Sequence, residues 1–145
     1  MESEVEAAAR ATIQAINDRS LRARAHELLA PSIVRHDLVQ LFPDSQGTSG
    51  GSDFVEMILA AMPDFRLHVE DIFGVGDRAA VRLRMTGTHT GQPLLGRPAT
   101  GAKLLANAVF IYRVQGGRVA EAWQIVDGLA FFRLAGLLPP KDILS

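Results

Sequence analysis

Apolar side chains recur with the spacing of helices in the first half of the chain and with the spacing of strands in the second. Val5, Ala8, Ala9, Thr12, Ile13 and Ile16 form one stripe of a 3.6-residue helix. Glu2, Glu4 and Glu6 sit in its first turn, where carboxylates complement the positive helix end. Asn17-Asp18-Arg19-Ser20 interrupts the stripe. Leu21, Ala25, Leu28 and Leu29 then predict a second, short helix that Pro31 ends. Residues 33–39 read as extended and Pro43–Ser52 as loop. Gly50-Gly51-Ser52-Asp53 leads into a third helix that carries Phe54, Met57, Ile58 and Ala61 on one face, with Pro63 closing it.

From Phe65 the period changes to two. Residues 65–72 alternate apolar and polar, and Gly74, Gly76 and Asp77 supply a turn. Val81, Leu83 and Met85 alternate with Arg82, Arg84 and Thr86. Gly91–Gly101 is loop. A long strand is predicted over Lys103–Val114, a hairpin turn at Gln115-Gly116-Gly117-Arg118 and the return strand over Val119–Val126. Leu129, Phe132, Leu134 and Leu137 predict a short closing helix. Helices followed by strands make an α+β domain, with helices packed on one face of a mostly antiparallel sheet. Strongly curved around the long helix, such a sheet forms a cone with one open mouth. No repeat or linker divides the chain, so residues 1–145 are expected to form one domain.

Composition narrows the chemistry. Zero cysteines exclude disulfides, thiolate metal sites, iron–sulfur clusters and a cysteine nucleophile. Lys and Arg number 15 against 16 Asp and Glu, a net charge of −1 with the signs interspersed. Such a balance does not suit a nucleic-acid partner, which needs a basic face. The acidic N-terminus lacks the basic character of a targeting peptide, and no apolar run is long enough to span a membrane. A cytoplasmic protein is the expectation. The four histidines have no metal-ligand spacing, so no metal is expected. His26 and His68 read as exposed, and Gly74-Val75-Gly76-Asp77 lacks the context of a dinucleotide loop.

Three segments resemble the SnoaL-like polyketide cyclase family. They are Thr86-Gly87-Thr88-His89-Thr90-Gly91, Leu95-Gly96-Arg97-Pro98-Ala99-Thr100-Gly101, and Tyr112-Arg113-Val114 with Gly117-Arg118-Val119-Ala120-Glu121-Ala122-Trp123 and Asp127. Ala15-Ile16-Asn17, the His36-Asp37 pair and Met62-Pro63-Asp64-Phe65 agree with it, so the resemblance covers roughly residues 5–140. It implies the NTF2-like cone and an apolar pocket between sheet and helices. It also implies a cofactor-independent cyclase or isomerase acting on a bulky apolar secondary metabolite, a polyketide, and a homodimer formed by the outer faces of two sheets. A non-catalytic small-molecule binding protein, or a hydrolase or isomerase of the same fold such as an epoxide hydrolase, stands as the alternative.

Family cyclases use an aspartate on the last strand and a histidine on the preceding one. The resemblance puts Gln124 and Phe110 at those positions, and glutamine cannot accept a proton. Gln124 can instead orient a carbonyl or donate to an enolate oxygen, or it can be a structural amide. Alternation puts Ala122, Gln124 and Val126 on one face and Trp123 and Ile125 on the other. The remaining acid–base candidates are His36, His89 and Asp127. At most one of His36 and Asp37 can face the pocket, and the histidine titrates nearer neutrality. His89 either acts in the pocket or fixes its loop through backbone hydrogen bonds; Asp127 is a pocket base or, more simply, a helix cap. Arg82 and Arg84 either bind a carboxylate or form surface salt bridges. Ile16, Phe54, Met57, Phe65, Phe110 and Tyr112 are core candidates that double as the substrate-binding wall, because core and pocket share one wall in a cone.

Overall fold

Residues 1–36 and 55–138 are described by the structure, a computed structural model. Phe54, residues 37–39 of the extended stretch and the loop expected over Pro43–Ser52 lie outside them. Helix α1 spans Glu4–Asn17, capped by Ser3, whose Oγ accepts from the Glu6 amide and donates to the Glu6 carboxylate. The predicted second helix is broken in two, α2 over Arg19–Arg22 and α3 over Ala25–Leu28. Strand β1 begins directly afterwards, Leu29–Arg35, and contains Pro31 rather than starting beyond it. Strand β1 lies at the edge of the sheet, where a residue without an amide N–H is tolerated.

Residues 55–61 are helical (α4). Strands β2 (Arg66–Val75), β3 (Arg78–Thr88), β4 (Lys103–Gln115) and β5 (Arg118–Val126) follow, then helix α5 (Gly128–Leu134). The expected turn at Gly74 moves on to Gly76-Asp77, since β2 runs through Val75. The β4–β5 hairpin turns on Gly116 and Gly117, both at positive φ (60° and 78°), the backbone that matches the twist of its strands. The sheet order is β1-β5-β4-β3-β2, antiparallel throughout except for the parallel β1–β5 pair. Register shifts in three of these pairings, at Val69/Asp71, Arg113/Val114 and Leu29/Val34, bend the strands. Helix α1 packs across the concave side and α5 against β4.

Alternation divides the strands cleanly. In β4 the even-numbered Leu104, Ala106, Ala108, Phe110 and Tyr112 are buried, while Leu105, Asn107 and Val109 face outward. The core joins this inner face to Val5, Ala9 and Ile13 of α1 and to Ile58, Ala61 and Met62. Asn17 ties α1 to the sheet as a strand residue would. Its side-chain amide donates to the Leu67 carbonyl and accepts from the Leu67 N–H, each at 2.8 Å. Among the described residues no helix is long and apolar enough to cross a membrane.

Candidate functional site

Between the concave sheet and the helices lies a cavity of about 110 Å³, roughly ten times what one water molecule requires. Ile16 and Ala15 of α1, Leu28 and Leu29, Val55 and Ile58, Phe65, Leu67, Met85 and Phe110 give it an apolar lining. Its polar groups are few: Thr12, Arg22, Arg35, Tyr112 and Gln124. Of the expected substrate wall, Ile16, Phe65, Phe110 and Tyr112 are in place. Met57 is not, since its side chain is exposed and the helical turn presents Val55 and Ile58 to the cavity instead.

The polar groups are placed by strand register. Phe110 pairs with Gln124 across β4 and β5, so the two positions that the resemblance matched to a histidine and an aspartate are direct neighbours. Tyr112 pairs with Ala122, and Ala122 pairs in turn with Arg35 of β1. Burial pushes the Tyr112 phenol above the ordinary tyrosine range, with the Arg35 guanidinium opposing the shift in part. Burial lowers the Arg35 pKa from its ordinary value, with Tyr112 opposing. Arg22 Nη1 donates to the Ile16 carbonyl at 2.8 Å, and its Nε stands 3.5 Å from Glu56. Thr12 Oγ1 donates to the Ala8 carbonyl. Among the described lining residues there is no carboxylate and no imidazole.

The acid–base candidates all lie elsewhere. His36 is on the outer face: its ring stacks on Trp123, centroids 4.8 Å apart, and its Nε2 meets Glu121 at 2.6 Å. Its neighbour Arg35 takes the inward position, because successive strand residues point to opposite faces. Glu121 also accepts from Arg113 at 2.9 Å, and Arg78 sits 4.9 Å above the Trp123 ring. His89 is fully buried in the β3–β4 loop. Its backbone pairs with Ala102 and Gly101, and Nε2–H donates to the Gln92 carbonyl at 2.8 Å. A carbonyl can only accept, so Nε2 is the donor, and Nδ1 has no partner among the described residues. These hydrogen bonds fix the loop. Asp127 is exposed and accepts from the Ala130 amide, capping α5. Arg82 pairs with Asp71 and Arg84 stands 3.6 Å from Glu70, as surface contacts. Among the described residues no cluster of three or more His, Asp or Glu is arranged to hold a metal ion.

Sequence reasoning missed Arg35 and Arg22. A polar residue inside an apolar stretch was visible at Arg35, but the alternation of β1 needs its start point, and that was hidden by Pro31. Gln124 inward and Trp123 outward were legible from the β5 alternation alone.

The sequence profile of the SnoaL-like polyketide cyclase family matches residues 6–133. Among solved structures, TsrD of Streptomyces laurentii is 22% identical with a TM-score of 0.79, covering 93% of this chain and 96% of its own. IdmH of Streptomyces antibioticus, a candidate polyketide cyclase, is 26% identical with a TM-score of 0.76, over 92% of this chain and 99% of its own. AclR of Streptomyces galilaeus, a candidate hydroxylase, is 27% identical with a TM-score of 0.78, over 99% and 93%. None of the proteins with curated descriptions matches the chain.

Proposed function

The chain belongs to the SnoaL-like polyketide cyclase family, and from that premise we propose that it binds a bulky apolar polyketide in the cone cavity and promotes its ring closure or isomerisation without a cofactor. One observation carries this: an apolar cavity with a short row of hydrogen-bond donors on its sheet wall. Tyr112 and Arg35 are donors, and Gln124 offers an amide. Such a wall holds carbonyl groups and stabilises an enolate oxygen. The apolar remainder constrains a flexible chain in a ring-closing shape, an effect worth several kcal/mol in favourable cases. Since the described lining offers no carboxylate or imidazole, the family's aspartate-driven proton transfer is not part of this reading.

A described lining without carboxylate or imidazole also favours a second reading, in which the cavity binds such a compound without converting it. Incubation with linear and partly cyclised aromatic polyketides, followed by mass-resolved chromatography and crystal soaking, separates the two. Cavity binding with conversion supports the first reading, and cavity binding without conversion supports the second. Absence of binding in the cavity sinks both. We also propose that a second copy of the chain covers the outer sheet face, where Leu105, Val109 and Ile125 are exposed.

A further inference from the structure

Arg22 of α2 carries more hydrogen-bonding capacity than the fold uses. Its side chain lines the cavity and is 16% exposed, so water can satisfy little of it. Its Nη1 donates to the Ile16 carbonyl at 2.8 Å, in the last turn of α1, and this bond anchors the head group. Nε is buried and makes no hydrogen bond among the described residues. The carboxylate it is paired with, Glu56 of α4, stands 3.5 Å away, beyond the roughly 2.7–3.2 Å of a made N–H···O bond. Buried donors in folded proteins are almost always satisfied, and this one is not.

The two members of the ion pair are unequal. Glu56 is 55% exposed and is not part of the cavity lining, so water keeps it solvated when the contact opens. Arg22 has no such recourse, because a covered cation with unmet donors is costly. It pairs with an exposed side chain on one side and borders the cavity on the other, which puts it at the cavity's edge. Its Nε–H and the Nη2–H beside it form a fork that matches the two oxygens of a carboxylate. Ile16, Leu28 and Phe65 supply apolar wall in the same cavity. An apolar body with an acidic group at one end fits both parts.

We propose that Arg22 is a specificity-determining residue that binds a carboxylate: the ligand is an apolar ring compound with a free carboxylate at its edge, which takes the Nε–Nη2 fork and releases Glu56 to solvent. This rests on the proposed cavity ligand and adds to it which chemical form is taken, the free acid over its ester. Two parallel N–H donors hold a carboxylate in the plane of the guanidinium, whereas an ester brings no charge and leaves the fork half met. The bond from Nη1 to Ile16 is retained, so the head group is already oriented when the ligand arrives.

The test compares 2-naphthoate, an anion at neutral pH, with methyl 2-naphthoate, which has the same ring and no charge, by titration calorimetry. The native protein should bind the acid about tenfold or more tightly than the ester, the difference a charge-assisted hydrogen-bonded pair supplies. Arg22→Met should remove most of that preference and leave the ester affinity in place. Arg22→Lys, which keeps the charge and loses the fork, should retain only part of it. Because Arg22 also holds the Ile16 carbonyl, its loss can unsettle the fold, and Glu56→Gln gives an independent check on an exposed residue. That variant keeps Arg22 and removes its competing carboxylate, so it should tighten the acid by about twofold or more and leave the ester unchanged. Equal binding of acid and ester by the native protein overturns the carboxylate site while the cavity stands. An unchanged preference in a folded Arg22→Met protein does the same, as does an acid affinity that Glu56→Gln fails to raise. If neither compound binds, the cavity reading falls and takes the site with it.

Discussion

Arg35 and His36 are adjacent in the chain and opposite in fate. The inward arginine borders the cavity, and the outward histidine belongs to a surface cluster with Trp123, Glu121, Arg113 and Arg78. His36→Asn should therefore leave ligand affinity and any turnover within about twofold of the parent. A positioned acid–base group would instead be worth roughly 10²–10⁴ in rate, and a loss of that size would return His36 to the site. Gln124→Leu should weaken ligand binding by about fivefold or more, the loss of roughly one hydrogen bond; unaltered affinity would make Gln124 structural. In the outer cluster, the Arg113 hydrogen bond first and the His36 contact second hold the Glu121 carboxyl below the usual carboxylate range. A carboxyl depressed in the folded state stabilises fully above its unfolded pKa, about 4.3, and the benefit is lost as pH falls through the folded value. Urea midpoints of the parent and Glu121→Gln should accordingly differ near pH 6 and draw together as the pH falls below the unfolded value, about 4.3. Identical midpoints at the higher pH would show that the cluster adds nothing.

Elements place these residues, and their boundaries mark where the sequence was readable. The period of two in β4 and β5 is uninterrupted, so the inward Phe110, Tyr112 and Gln124 follow directly from it. The α3–β1 junction was opaque because Pro31 is both a helix stop and a residue acceptable in an edge strand, and only the pairing of β1 with β5 decides between them. His89 shows a second limit. Its neighbours Gly87 and Gly91 mark a tight loop, but whether the histidine enters the cavity or the loop core depends on contacts distant in sequence. That loop is clamped onto the end of α4, where Gly91 N–H donates to Ala61 and Gln92 N–H to Ala60. A Cβ on Gly91 would collide with the Ala60 carbonyl oxygen, which is backbone and cannot swing aside. Gly91→Ala should cost roughly 1–3 kcal/mol in chemical denaturation. A loss below about 0.5 kcal/mol, within the range of ordinary surface changes, would show that the loop shifts freely and that the clamp is not fixed.

At the scale of the molecule, the two sides of the sheet divide the labour: the concave side builds the cavity, and the convex side carries exposed apolar residues among those described. Leu105, Val109 and Ile125 are 68%, 39% and 60% exposed, and Val109 faces Ile125 in register on adjacent strands. Trp123, also on the outer face, is shared between His36 and Arg78, so the patch a second copy would bury lies along β4 and the end of β5. An apolar surface of this kind is uncommon on a monomer, and a symmetric pair buries it twice over. The expected species in sedimentation at micromolar concentration is therefore about twice 15.7 kDa. Ile125→Glu places a carboxylate at the centre of the patch on a side chain that does not reach the cavity. It should yield the monomer with unaltered far-ultraviolet circular dichroism and unaltered binding of a cavity ligand. A parent protein that sediments only at 15.7 kDa would remove the pairing, and a dimer that survives Ile125→Glu would move it to another face.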